Sequence, residues 1–441
     1  MLNVSTLHER PAELLQALLR FDTTNPPGGE AECIYYIADL LAVAEIEHFI
    51  VAREQSRPNV VARLPGRGEA PPLLLYGHVD VVTTANQEWT HGPFSGDIAD
   101  NCVWGRGALD MKGGVAMMLA ALLRLRARGE APPGDVIFAA VCDEEYSGYY
   151  GAQYLVEEHA RLFADVRYAL GEFGGFTTYI GGRTFYPIMV GEKQSCQMRA
   201  TVRGPGGHGS LTMHGGTTAR LGRLLTTLDR HGLPAHITPV ARMMIEGIAA
   251  QLRPRQRVVI QRMLNPRFTD RVLRVMGEAG TLLTPLLHNT VNATIIQGGN
   301  QVNVIPSRVD VHLDGRLLPG FGPEDALREL QALVGPGVEI AVLSFEAGPP
   351  DTPNMGLYDT LADILREGHP GGVPIPYLMS GVTDGRFFTR LGIQTYGFLP
   401  MKLPPGWNFA ELIHAADERI PIAALEFGSE AMYQATRRFH E

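Results

Sequence analysis

Leu73-Leu74-Leu75-Tyr76-Gly77-His78-Val79-Asp80 is a short apolar run that ends on a histidine and an aspartate two residues apart. Leu73 to Tyr76 is long enough for a buried strand and too short for a helix. His78 and Asp80 are therefore expected at its C-terminal edge, facing the same way at a period of two. Open α/β sheets place their ligands at that edge. Taken alone, the pair reads equally well as a histidine hydrogen-bonded to a nearby aspartate, and its weight comes from the acidic and histidine clusters elsewhere in the chain.

Outward from this strand the same rhythm recurs. Before it, apolar residues at helical spacing predict helices over 8–20 and 30–43, and strand-like segments follow at 47–51 and 59–64. After it, a long polar and aromatic loop over 83–96 leads to Ala108-Leu109-Asp110-Met111-Lys112-Gly113-Gly114 and an apolar helix over 115–125, which puts Asp110 just before a helix N-terminus. Residues 135–141 read as a strand ending in Cys142-Asp143-Glu144-Glu145, and another strand ends at Leu170-Gly171-Glu172. Strands that end in acidic or histidine residues and lead into glycine or helix describe a βαβ arrangement with a parallel sheet.

The texture changes near Lys193. A strand over 194–203, a Gly/His loop over 204–213, a helix over 217–229, strands over 292–297 and 307–315, a helix over 323–334 and a strand over 338–345 follow in turn. That βαββαβ order predicts a small two-layer domain with an antiparallel sheet. It carries an extra insertion over 231–288, with a helix expected over 269–287. The α/β texture returns from Asn354, with helices over 356–367 and 417–437 and strands over 375–379 and 393–398. The expected organisation is a catalytic domain of residues 1–190 and 348–441 interrupted by an inserted domain of residues 191–347.

With 441 residues, the chain exceeds the roughly 250–300 residues at which single cores stop growing, in keeping with two domains. A net charge of −9 argues against a nucleic-acid binder. No uncharged apolar window reaches the roughly 18 residues of a membrane span, and charged residues interrupt the first 25 positions, so a cytoplasmic protein is expected. Cys33, Cys102, Cys142 and Cys196 lack paired metal-site spacing and are expected to be reduced.

The candidate site gathers His78, Asp80, Asp110, Glu144, Glu145 and Glu172, with His414 arriving from the returning segment. Histidines and carboxylates without cysteine suit zinc, manganese or cobalt, and carboxylates this close repel one another unless cations neutralise them. A dinuclear site needs a bridging carboxylate, for which Asp110 is placed. One of Glu144 and Glu145 suffices as a ligand, which leaves the other as a general base, and Asp80 fits behind His78.

Gly77-His78-Val79-Asp80-Val81-Val82, Gly105-Arg106-Gly107-Ala108-Leu109-Asp110-Met111-Lys112-Gly113-Gly114 and Asp143-Glu144-Glu145 resemble signature blocks of the M20 family of dinuclear metallohydrolases, over nearly the whole chain. The resemblance implies a mixed or parallel-sheet α/β zinc-hydrolase domain with an inserted ferredoxin-like α+β lid and dimerisation domain, and hence a homodimer. It assigns His78, Asp110 and Glu172 to one metal ion, Asp110, Glu145 and His414 to a second, Glu144 to the base and Asp80 to the support of His78. It also implies a cis bond at Asp110-Met111.

In this family a glutamate at the position of Glu172 accompanies enzymes that free an amino acid at its nitrogen, such as aminoacylases, deacetylases and carboxypeptidases. Gly204-Pro205-Gly206-Gly207-His208-Gly209-Ser210 resembles the block whose histidine stabilises the oxyanion in a neighbouring subunit, with His214 as a rival. Asn303-Val304-Ile305-Pro306 and Asp314-Gly315-Arg316 resemble the substrate-binding block, and Ser380-Gly381-Val382-Thr383-Asp384-Gly385-Arg386 a substrate-contacting loop, giving Asn303, Arg316, Gly381 and Thr383 as candidate contacts. An arginine can hold a carboxylate in two places, so the expected substrate is a small molecule or short peptide with a free carboxylate. The alternatives are a dipeptidase or aminopeptidase of the same scaffold, and a non-catalytic assembly protein.

Overall fold

The computed structural model describes residues 4–440, with side chains from residue 6 onward. Two compact units divide the chain. The first runs up to Val190 and resumes over Asn354–Tyr377 and from Thr383 onward, and the second comprises Gly191–Pro353 with Leu378–Val382.

In the first unit, strand Leu73–His78 is buried along its whole length and lies between Val136–Val141 and Tyr168–Gly171, parallel to both. Parallel strands are covered on both faces and read as nearly continuous apolar runs, which explains the absence of alternation in the stretch from Leu73 to Tyr76. The sheet order among the described residues is Glu47–Ala52, Pro58–Leu64, Val136–Val141, Leu73–His78, Tyr168–Gly171, Gln394–Gly397, Arg183–Glu192 and Gly372–Met379, with Thr178–Ile180 paired to Arg183–Glu192. Pairing is antiparallel at Glu47–Ala52 and Pro58–Leu64 and parallel at the centre, so the sheet is mixed.

Helix Lys112–Arg128 is buried from Lys112 through Leu123 and stops at Gly129, whose φ of +63° is the left-handed cap that glycine adopts without strain. Its first turn is crowded. A Cβ on Gly113 would stand 2.2 Å from the Ala108 carbonyl oxygen, so the Gly113-Gly114 pair lets the chain fold back directly behind Asp110. The Asp110-Met111 bond is cis, as the resemblance implies.

The second unit holds an antiparallel four-stranded sheet in the order Thr290–Gln297, Arg308–Leu317, Gln194–Arg203, Val338–Glu346. Chain order and sheet order together give the ferredoxin-like arrangement. Cys196, Met198, Ala200 and Val202 alternate into a core shared with Val309, Val311 and Leu313 and closed by Leu224 and Leu330 of helices Thr217–Arg230 and Pro323–Val334. The single helix expected over 269–287 is instead two helices, Pro266–Met276 and Glu278–Leu287, broken at Gly277 with φ +61° and ψ −128°, a conformation closed to other residues. Helices Pro239–Gln251 and Pro254–Gln261 precede them, and each begins at a proline that suits a first helical position. Among the described residues no helix is long and apolar enough to cross a membrane.

Candidate metal centre

His78 closes strand Leu73–His78, Glu144 and Glu145 follow Val136–Val141, and Glu172 follows Tyr168–Gly171, so three adjacent strands deliver their side chains to one sheet edge. The His78 Nδ1–H donates to the Asp80 carbonyl oxygen at 2.9 Å, which turns Nε2 toward the carboxylates, where it would offer a lone pair to a metal ion on losing its proton. Nε2 lies 3.2 Å from Asp110 Oδ1, 3.6 Å from Glu172 Oε2 and 3.9 Å from Glu144 Oε2. On the other side, His414 Nε2 lies 3.3 Å from Asp110 Oδ2 and 3.3 Å from Glu145 Oε2.

Two donor groups result, His78 with Asp110 and Glu172, and Asp110 with Glu145 and His414, the donor atoms of each lying within 4.8 Å of one another. Asp110 turns one oxygen toward each histidine, the geometry of a bridge between two ions. Glu144 falls in neither group.

The electrostatics express the same crowding. Burial, reinforced by the charge of Glu172, pushes the Glu144 carboxyl well above the usual range. Burial raises Glu145 to about 7 and also raises Glu172. Burial opposes ionisation of Asp110 too, but hydrogen bonds from His414 and His78 outweigh it and hold this carboxyl low. His414, hydrogen-bonded to Asp110 and Glu145, is raised to about 10. Carboxylates packed this closely call for neutralisation, which divalent cations would supply. Glu145 Oε1 is buried without a hydrogen-bond partner, an acceptor left open in the second donor group. Nitrogen and oxygen donors, a bridging carboxylate and an open acceptor fit two divalent ions.

Several supports were not visible in the sequence. The Asp80 carboxylate stands 3.6 Å from His78 Nδ1, farther than its own carbonyl, and accepts the backbone N–H groups of Glu144 and Glu145 at 3.1 Å each. It thus aims the acidic pair as well as the histidine. Asn25 donates to both Asp80 and Asp143, at 2.9 and 3.1 Å. Asp143, with φ +70°, pairs with Arg57 at 3.1 Å and accepts from the Ser147 hydroxyl and the Tyr150 N–H, holding the turn. Glu418 accepts the N–H groups of Leu109 and Asp110 and pairs with the buried Arg106 at 2.6 Å. Glycines around Arg106 and the run before Asp110 hinted at a built loop, but nothing in the sequence pointed to Glu418.

Of the remaining sequence candidates, Thr383 lies in the first unit, fully buried, with its hydroxyl accepting the Gly385 N–H at 3.0 Å. His208, Asn303, Arg316 and Gly381 belong to the second unit. There Gly207–His208 pairs with Val304–Ile305, and the Gly209 N–H donates to the Asn303 carbonyl oxygen, so the two loops form one exposed platform. The Ser210 N–H donates to His208 Nδ1 at 3.2 Å, which makes Nδ1 an acceptor and puts the proton of the neutral ring on Nε2. His214 makes no hydrogen bond or ion pair among the described residues. Arg316 presents Nε and Nη2 to Asp314 at 3.0 and 3.3 Å, so two of its donors are already engaged.

The model of peptidase family M20/M25/M40 matches residues 74–438. The chain belongs to this family. Relatives include a probable carboxypeptidase S-like 2 of Dictyostelium discoideum, 26% identical over 366 residues that cover 80% of this chain and 68% of that protein. The N-fatty-acyl-amino acid synthase/hydrolase PM20D1 of Homo sapiens is 27% identical, covering 80% and 71%. A succinyl-diaminopimelate desuccinylase of Paracoccus denitrificans is 27% identical, covering 93% of each. Among solved structures, the M20 family metallo-carboxypeptidase Sso-CP2 of Sulfolobus solfataricus has a TM-score of 0.68 at 20% identity and covers 97% of this chain and 98% of its own, showing the same fold. As a member of the M20 family with two adjoining metal-binding groups, the protein is a metal-dependent hydrolase of amide or peptide bonds in amino acid derivatives.

Proposed function

We propose that this M20 enzyme releases an amino acid from an N-acyl amino acid, or from the C-terminal end of a peptide, with two zinc ions as its native metals and cobalt or manganese as substitutes. The reading rests above all on Asp110, which turns one oxygen to each histidine while the adjacent Glu144 belongs to neither donor group. Support for the substrate class comes from Glu172 at the position where glutamate accompanies amino-acid-releasing members, and from relatives named as carboxypeptidase-like, N-fatty-acyl-amino acid hydrolase and desuccinylase.

In this proposal His78, Asp110 and Glu172 hold one ion, and Asp110, Glu145 and His414 the other. When bound, the pair would supply an acidified water and polarise the scissile carbonyl. Glu144 takes the water's proton and returns it to the leaving nitrogen, a task suited to a carboxyl whose pKa burial has raised. The Nε2–H of His208 donates to the oxygen that gains charge in the transition state. Asn303 and the free edge of Arg316 hold the substrate carboxylate. Gly381 and Thr383 belong to the loop proposed to shape the substrate site, Thr383 from its buried position at the turn.

The proposal includes a cytoplasmic homodimer. Strand Thr290–Gln297 forms an edge of its sheet with Ile295 and Ile296 half exposed, and the four cysteines are unpaired and buried.

A hydrolysis screen of the metal-replete enzyme over N-acetyl amino acids, long-chain N-acyl amino acids, carboxyl-terminal peptides and free dipeptides tests the substrate class. Cleavage of substrates blocked at nitrogen and free at the carboxylate is expected. Exclusive cleavage of free dipeptides would move the enzyme to the dipeptidase reading.

A further inference from the structure

The polar and aromatic loop over residues 83–96 contributes to neither donor group, yet its side chains end on the turn that carries His414, within the same unit. Gln87 Nε2 donates to the His414 carbonyl oxygen at 2.9 Å, and Gln87 Oε1 accepts from Arg106 Nη2 at 2.8 Å. Arg106 Nη1 in turn donates to the Ala415 carbonyl oxygen at 3.1 Å and pairs with Glu418. Thr90 grips Asp417 twice, with its N–H on Oδ1 at 2.7 Å and its hydroxyl on Oδ2 at 2.8 Å. The contacts of Gln87 and Thr90 each span 327 residues of sequence, so the turn is placed by the fold and not by its own neighbours.

That turn needs holding. His414 and Asp417 have φ of +62° and +60°, a left-handed conformation that a residue with a Cβ keeps only where surrounding contacts fix it. The helix before it, Phe409–Leu412, is a single turn. Packing does little for the ring itself. The His414 side chain is 48% exposed, against 1% for His78 at the end of a buried strand. His78 therefore takes its position from the sheet. His414 takes its position from the turn, because its ring contacts are Asp110 and Glu145, the other members of its own donor group.

We propose that Gln87 is a positioning residue for the second metal ion. By holding the His414 carbonyl, while Thr90 holds Asp417, it keeps the imidazole directed at Asp110 and Glu145. Retention of the ion at His414 then depends on the 83–96 loop, and retention of the ion at His78 does not. This inference rests on the two-ion reading above and extends it to residues outside both donor groups.

Zinc affinity of the metal-stripped full chain, measured by competition with a chromogenic chelator at fixed pH, tests it. The parent should take up two ions. Glu172→Ala removes a ligand of the first ion and leaves the His414 ion to be measured alone, whereas Glu145→Ala leaves the His78 ion. Gln87→Met keeps the bulk of the side chain and removes both of its hydrogen bonds. Added to Glu172→Ala it should weaken zinc about 10–100-fold, the usual effect of losing a group that orients a ligand, and added to Glu145→Ala it should change nothing. Thr90→Val, which retains the N–H on Asp417 and loses the hydroxyl, should act in the same direction and less strongly.

Equal weakening in the two backgrounds would mean damage common to both sites, and no weakening in either would mean that His414 keeps its place unaided. Each result overturns the proposal while leaving the two-ion reading intact. A parent chain that takes up fewer than two ions overturns that reading, and the proposal with it.

Discussion

Glu144 and Glu145 are neighbours in sequence and differ in surroundings. Glu145 contacts His414, while Glu144 stands near His78 outside both donor groups. Glu144→Ala should therefore keep metal content near that of the parent and lower kcat on the order of 10²–10⁴-fold, the usual contribution of a positioned base. Mass-spectrometric metal analysis beside steady-state kinetics checks it, and an active variant rejects the base. A pH dependence follows from the metal-free site. Glu145, raised to about 7, and His414, raised to about 10, both hold protons in mildly acidic solution and must release them to act as ligands. Metal affinity measured against a competing chelator should thus rise from pH 6 to pH 8 with proton release, and a flat profile would contradict the ligand set. Arg316→Ala should impair substrates with a free carboxylate far more than the corresponding amides, and equal losses would remove the proposed grip. At this scale the sequence revealed the residues that follow apolar runs, because strand ends announce themselves locally. Asn25 and Glu418 escaped it because their roles depend on contacts made only after folding, and nothing in their immediate neighbours marks those contacts.

The elements act by holding ligand-bearing ends at fixed spacing. Gly171 ends the strand that precedes Glu172, and a Cβ there would stand 2.1 Å from Tyr76 Cζ on the neighbouring strand. Gly171→Ala should cost about 1–3 kcal/mol of stability through overpacking and should lower metal occupancy with it. Thermal unfolding and metal analysis of the same sample would show both, and an unchanged melting temperature would mean that the strands yield. Glu418 ties the chain after His414 to the loop before Asp110, and its loss leaves Arg106 buried without its carboxylate partner. Glu418→Ala should destabilise by about 3–5 kcal/mol, measured by denaturant unfolding. Central strands and the helix after Asp110 were legible in the sequence because burial on both faces gives continuous apolar runs. The break at Gly277 was not, since a lone glycine in a helical pattern is often tolerated and only its φ shows that it turns the chain.

At the scale of the whole molecule, one chain supplies two units with different chemistry. The first carries the clustered donors of both proposed metal ions, and the second carries an exposed histidine platform. The antiparallel order of the second unit was readable from the βαββαβ sequence, whereas the packing of the four insertion helices is encoded by no local pattern. If Ile295 and Ile296 lie in a dimer interface, light scattering should give twice the 48.1 kDa chain mass, and Ile296→Lys should halve it. The proposed chemistry requires a pair of cations flanking Asp110. Anomalous diffraction at the zinc edge from crystals of the zinc-loaded enzyme should show two peaks per chain, one between His78 and Glu172 and one between Glu145 and His414, with Asp110 between them; a chain with no peak there, or with one peak that leaves an Asp110 oxygen unused, would contradict it.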